Sequence, residues 1–181
     1  MKKIFKLMLA IISLLTISCS VWAQAGKDLV TYTIDGGTFH HKLITIKPDP
    51  KAPQNGAYSR TYLKLSVDNA PANDITKATW SFALTFNKAG TGTAKVNDPI
   101  VNKANMIADT RVYFLLHVDG NGETKNLYSR ASDPDKTPGT ITITKFGPVG
   151  GTVEGTFEGK LKGSDGIYTI TGGHFVVTRK L

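Results

Sequence analysis

Hydrophobic residues in this chain recur at every second position, in short runs. Trp80, Phe82, Leu84 and Phe86 alternate with Thr79, Ser81, Ala83 and Thr85, and Leu63, Leu65 and Val67 alternate with Tyr62, Lys64 and Ser66. Val153, Gly155, Phe157, Gly159 and Leu161 alternate in the same way with Thr152, Glu154, Thr156, Glu158 and Lys160. A period of two sends the two sets to opposite faces of a strand, whereas a helical stripe needs 3.6. Each run therefore reads as a strand with one buried and one wet face. Residues 111–118 differ, because Val112, Phe114, Leu116 and Val118 face one way while Tyr113 and Leu115 are apolar on the other. A central strand covered on both faces is expected there.

Turn chemistry separates the runs. Asp35-Gly36-Gly37, Asp119-Gly120-Asn121-Gly122 and Gly163-Ser164-Asp165-Gly166 read as hairpin turns. The proline-rich stretch 48–56 reads as a long exposed loop that cannot continue a ladder and could be shortened at little cost. A second connection spans 133–139, and 98–109 has room for one helical turn around Val101 to Ala104. Composition agrees, with 22 Thr, 18 Gly and eleven Asp against three Glu. There is no fixed-period repeat and no low-complexity linker. The expected fold is all-β: a single antiparallel β-sandwich or flattened barrel of nine to ten short strands, over residues 24–181.

The last hairpin allows a sharper statement. A turn at Ser164-Asp165 sets Leu161 opposite Tyr168 and Gly159 opposite Ile170. That register, carried on strictly, would turn Phe175 and Val177 to solvent. One extra residue at Gly172-Gly173 returns them to the core, and glycine suits such a bulge. His174 would then point outward near Thr156 and Glu154.

The first 23 residues read as a secretory signal peptide. Lys2, Lys3 and Lys6 precede an apolar run to Ile17, and Val21 and Ala23 stand at the positions that favour cleavage before Gln24. Cleavage after Ala23 leaves 158 residues with no cysteine and a net charge of +5. A second reading stands beside it: Thr16-Ile17-Ser18-Cys19 approaches a lipoprotein box, in which Cys19 would carry the lipid and be the only membrane link. Neither option leaves a disulfide, so stability must come from packing and the ladder.

Catalytic constellations are not evident. Glu154 and Glu158 lie about 13 Å apart along a strand, too far for a retaining glycosidase pair; Lys160, Arg179 and Lys180 are their expected partners. His40 and His41 should point to opposite faces, which leaves His117 and His174 as candidate ligands without an obvious third. Asp119 to Glu123, with Asp133 and Asp135 as added carboxylates, has the alternating oxygens of a calcium loop but not its register. The serines lack a nucleophile elbow, and the scattered lysines form no nucleic-acid stripe. No cofactor is expected. Tyr58, Tyr62, Tyr113, Tyr128 and Trp80 could line a sugar or peptide face if they share the outside of one sheet, although Trp80 joins Phe82 and Phe86 on the core side.

The segments 139–147, 150–161 and 170–179, reading Gly-Thr-Ile-Thr-Ile-Thr-Lys-Phe-Gly, Gly-Gly-Thr-Val-Glu-Gly-Thr-Phe-Glu-Gly-Lys-Leu and Ile-Thr-Gly-Gly-His-Phe-Val-Val-Thr-Arg, carry a resemblance. Together with Tyr32-Thr-Ile-Asp-Gly-Gly-Thr-Phe39 near the start, they are similar to small exported proteins and lipoproteins of unknown function from Bacteroidetes-type bacteria. The resemblance implies an envelope location and an all-β fold, and it supplies no site residues. A non-enzymatic envelope module that binds a protein or glycan is the functional expectation. A small-ligand carrier with a calycin-like interior is the alternative, and an envelope hydrolase a third. Trp80, Phe82, Phe86, Phe114 and Phe157 interdigitating would speak against the carrier, and an open mouth lined by tyrosines for it; the hydrolase needs two of His117, His174, Glu154 and Asp119 in hydrogen-bond reach.

Overall fold

The alternating runs become strands in the computed structural model, which describes residues 28–100, 111–120, 123–129 and 139–181. The signal segment 1–23, with Cys19 and Ala23, lies outside the described residues, as do the helical turn expected at 101–104 and Asn121, Asp133 and Asp135. Eleven strands form: β1 (Leu29–Gly36), β2 (Phe39–Ile46), β3 (Gly56–Ser59), β4 (Leu63–Asp68), β5 (Trp80–Phe86), β6 (Gly92–Lys95), β7 (Tyr113–Gly120), β8 (Glu123–Tyr128), β9 (Gly139–Phe146), β10 (Thr152–Gly163) and β11 (Gly166–Thr178). The four-residue β3 and β6 are too short for alternation to register, which explains the excess over nine or ten. A single 3-10 turn at Ile75–Lys77, capped by Asp74, is the one helical element among the described residues.

All eleven strands join one antiparallel network that folds over on itself. Six form a first layer in the order β2-β1-β11-β10-β9-β6, and five form a second in the order β8-β7-β5-β4-β3. The far end of β10 passes to β8 through Lys162 opposite Tyr128. At the other side β3 meets the chain end by a parallel bridge, Ala57 to Arg179, where Lys180 N–H donates to Ala57 O at 2.8 Å and Ser59 N–H to Leu181 O at 3.0 Å. Sandwich and flattened barrel are thus both fair descriptions. Strand β7 is central, between β5 and β8, but only its inner side is closed. Val112, Phe114, Leu116 and Val118 are fully buried while Tyr113, Leu115 and His117 are half-buried.

Aromatic rings fill the space between the layers. Phe157 of β10 stacks on Phe82 of β5 at 4.4 Å between centroids and meets Phe114 of β7 edge-on at 5.3 Å. Tyr32 and Phe175 complete its surroundings at 5.9 and 6.4 Å. Glycine makes this density reachable. Gly155 lies opposite Phe175, and Gly173 opposite Phe157, so each ring lies over a residue without a side chain. A Cβ on Gly155 would come within 2.6 Å of the Phe175 ring, and one on Gly173 within 2.9 Å of the Phe157 ring.

The last hairpin has the register expected of it. Leu161 pairs with Tyr168, Gly159 with Ile170, and the ladder then shifts so that Phe157 pairs with Gly173 and Thr156 with His174. Gly172 takes the bulge conformation at φ +60°, a left-handed backbone that favours glycine. Phe175 and Val177 are buried and His174 is exposed.

Two expectations need correction. The 48–56 loop is not a free excursion, for Ala52 and Asn55 are buried in it. The Asn55 side chain accepts from Asp68 N–H at 2.7 Å, and Asp49 accepts from the backbone N–H groups of Lys51 and Ala72. Shortening the loop strips buried polar groups of their partners, so it should lower the melting temperature clearly; an unchanged value would show these bonds to be idle. His40 and His41 do not stand on a regular ladder either. The β1–β2 register shifts between Ile34 and Gly36, His41 sits at φ +47°, and both histidines end up exposed.

Among the described residues three buried side-chain atoms have no partner, Asn87 Oδ1, Asn97 Nδ2 and the Tyr32 hydroxyl, and the last of these lies fully buried in the core. Burial pushes its phenol far above tyrosine's usual range. An unsatisfied buried hydroxyl costs about 1–3 kcal/mol, so Tyr32→Phe should leave stability unchanged or raise it by about 1 kcal/mol. Chemical denaturation that showed a loss above that size would mean that the hydroxyl is bonded after all.

Candidate functional site

The outer faces of the two layers differ in chemistry. On the second layer, strand parity and pairing bring Tyr58, Lys64, Thr85 and Tyr113 into one row across β3, β4, β5 and β7. Tyr128 lies beside Leu115 and is about half exposed. Tyr58, Tyr113 and Tyr128 share this face, yet they stand apart. Tyr58 donates to Pro53 O at 2.9 Å, Tyr62 packs against the core under Lys64, and the two ends of the Tyr58–Tyr113 row are three strands apart. Trp80 turns inward at the edge of the core, 6.3 Å from Phe39, with Lys42 Nζ 5.3 Å from its ring.

The first layer carries the more convergent group. A shallow groove of about 360 Å³ opens on its outside, lined by Thr140, Thr142, Thr156, Glu158, Gly172 and His174. Its existence follows from the bulge. Gly172 has open space where a side chain would stand, so β11 leaves a gap beside the hydroxyls of β9 and β10. Three threonines supply donors and acceptors, Glu158 an acceptor and His174 a ring nitrogen on either side.

Beside the groove, Glu154 is engaged by a different partner from those expected. Lys145 on the neighbouring strand donates to its carboxylate at 2.8 Å and Thr152 Oγ1 at 3.1 Å. The Lys145 hydrogen bond is the main reason that Glu154 stays below the usual carboxylate range, with Thr152 and the charge of His174 adding to it. His117 is bonded to Asn126, Nδ1 to Oδ1 at 2.9 Å. The side chain of Asp119 lies outside the described residues. Among the described residues no three His, Cys, Asp or Glu side chains converge on a common point.

A second polar cluster is structural. Lys125 of β8 donates to Asp165 in the β10–β11 turn, and the buried Tyr168 donates to the same carboxylate at 2.7 Å. It ties the second layer to the last hairpin. Lys125, then Tyr168, holds the Asp165 carboxyl below the usual range, so the folded chain keeps it charged where the unfolded chain has bound a proton. That contribution is complete above the unfolded pKa and is lost as pH falls through the folded one. Asp165→Asn should therefore flatten the acid limb of a melting-temperature profile; parallel acid limbs for the two proteins would refute the assignment.

The chain matches no family model, no curated protein and no solved structure.

Proposed function

We propose that this chain is an exported, non-enzymatic binding module of the cell envelope, and that its partner docks in the groove on the outside of the first layer. One observation carries the reading: donors and acceptors from three adjacent strands converge there, above a core that rings already occupy. Sequence supports the location, through the signal-like segment before Gln24 and the resemblance to exported envelope proteins. A carrier would need room between the layers, where Phe82, Phe114, Phe157 and Phe175 are in contact. A hydrolase would need two of His117, His174, Glu154 and Asp119 within hydrogen-bond reach, whereas Glu154 bonds to Lys145 and His117 to Asn126.

Two measurements test this. Mass spectrometry of the protein purified from its envelope should give a mature chain starting at Gln24, while a lipid on Cys19 would place it as an anchored protein instead. Immobilised mature chain should retain an envelope component, protein or glycan, that a Glu158→Lys, Thr156→Lys variant with unchanged melting temperature does not. Equal retention by both would remove the groove from the account.

A further inference from the structure

The groove is the middle of a longer feature. Following the ladder from edge to edge at the level of Thr156, the outward residues are Thr45 on β2, Thr31 on β1, His174 on β11, Thr156 on β10, Thr142 on β9 and Thr93 on β6. Five of the six strands contribute threonine and the sixth contributes histidine. With neighbouring strands about 4.8 Å apart, the row is about 24 Å long. At one end the hydroxyls are in direct reach, Thr93 Oγ1 to Thr142 Oγ1 at 3.0 Å.

We infer that this row binds an extended, neutral, β-linked glycan laid across the strands, an inference that rests on the groove being the docking site. Repeat length is the first reason. Five strands offer a hydroxyl at the inter-strand step and β11 offers the His174 ring; successive sugar units of an extended β-linked chain advance by a similar step, so one unit meets one strand. An α-1,4-linked glucan coils and loses that match. Threonine chemistry is the second reason. The hydroxyl can donate and accept, as sugar hydroxyls do, while the methyl group covers ring C–H surface. The β-branched side chain is stiff about χ1, so little rotamer freedom is lost on binding. Charge is the third. Glu158 faces the groove and His174 is the one basic group among its lining residues, with no lysine or arginine there, so an anionic chain finds one acid against one base and gains no net attraction. Sheet twist rotates the row from strand to strand, and flexible glycosidic linkages can follow it.

Titration of the mature chain with cellohexaose, with cellotriose as the short probe and maltohexaose as the α-linked control, tests the inference by calorimetry. Cellohexaose is expected to bind, more tightly than cellotriose, and maltohexaose is expected to bind at least tenfold more weakly. Thr31→Val, Thr142→Val and Thr156→Val keep shape and strand preference and remove only the hydroxyl; each should weaken cellohexaose about 2- to 10-fold. Equal affinity for the two hexasaccharides, no gain with length, or a loss caused by Tyr128→Ala and not by the threonine variants would each overturn the inference. Failure of all three sugars to bind, while the groove variants still abolish capture of an envelope component, would overturn the glycan and leave the docking site standing. Failure of both would remove the site as well.

Discussion

Replacing Phe157 by alanine is expected to lower folding stability by about 3–5 kcal/mol, enough to unfold much of a marginal domain. The residue lies fully inside the core, between rings of both layers. Its ring stacks on Phe82, meets Phe114 edge-on and touches Tyr32 and Phe175. Removal leaves a void bounded by rigid rings, and the glycine opposite, Gly173, offers no atoms to fill it. Urea unfolding of the mature chain measures the loss directly. A loss under about 1 kcal/mol would mean that the layers collapse onto the void or that they never packed through this ring.

Deleting Gly173 should be about as damaging for a different reason. The bulge at Gly172 is what turns Phe175 and Val177 back to the core. Without the extra residue every side chain after Gly172 changes face. Exposing a phenylalanine and a valine that are now fully buried costs about 3–6 kcal/mol together. Gly172→Asn is the useful contrast, since asparagine tolerates the left-handed backbone and the site has room; it should cost about 1 kcal/mol or less. Equal effects from the two changes would detach the penalty from register.

That bulge was legible in the sequence because a period of two admits no compromise: given the turn at Ser164-Asp165, Phe175 and Val177 could reach the core only through one added residue. The inward place of Gly155 was legible too, and the structure adds Gly173, which lies against the Phe157 ring as Gly155 does against that of Phe175. What escaped depended on distant partners. Asn55 bonds to Asp68 across 13 residues, and no local pattern marks a loop as stapled in this way. Opposite faces for His40 and His41 presuppose a regular ladder, which the β1–β2 irregularity breaks. The abundance of threonine read as strand preference alone. Its alignment into one row needs the order β2-β1-β11-β10-β9-β6, which puts the beginning of the chain beside its end.

Methyl NMR of threonine-labelled mature chain, recorded with and without cellohexaose, tests most directly whether binding occurs on the outside of the first layer. Shifts confined to Thr31, Thr45, Thr93, Thr142 and Thr156, with the ring resonances of Phe82, Phe114 and Phe157 unmoved, are the expected result. Shifts centred on those three rings would mean that the ligand enters between the layers, and would contradict the account.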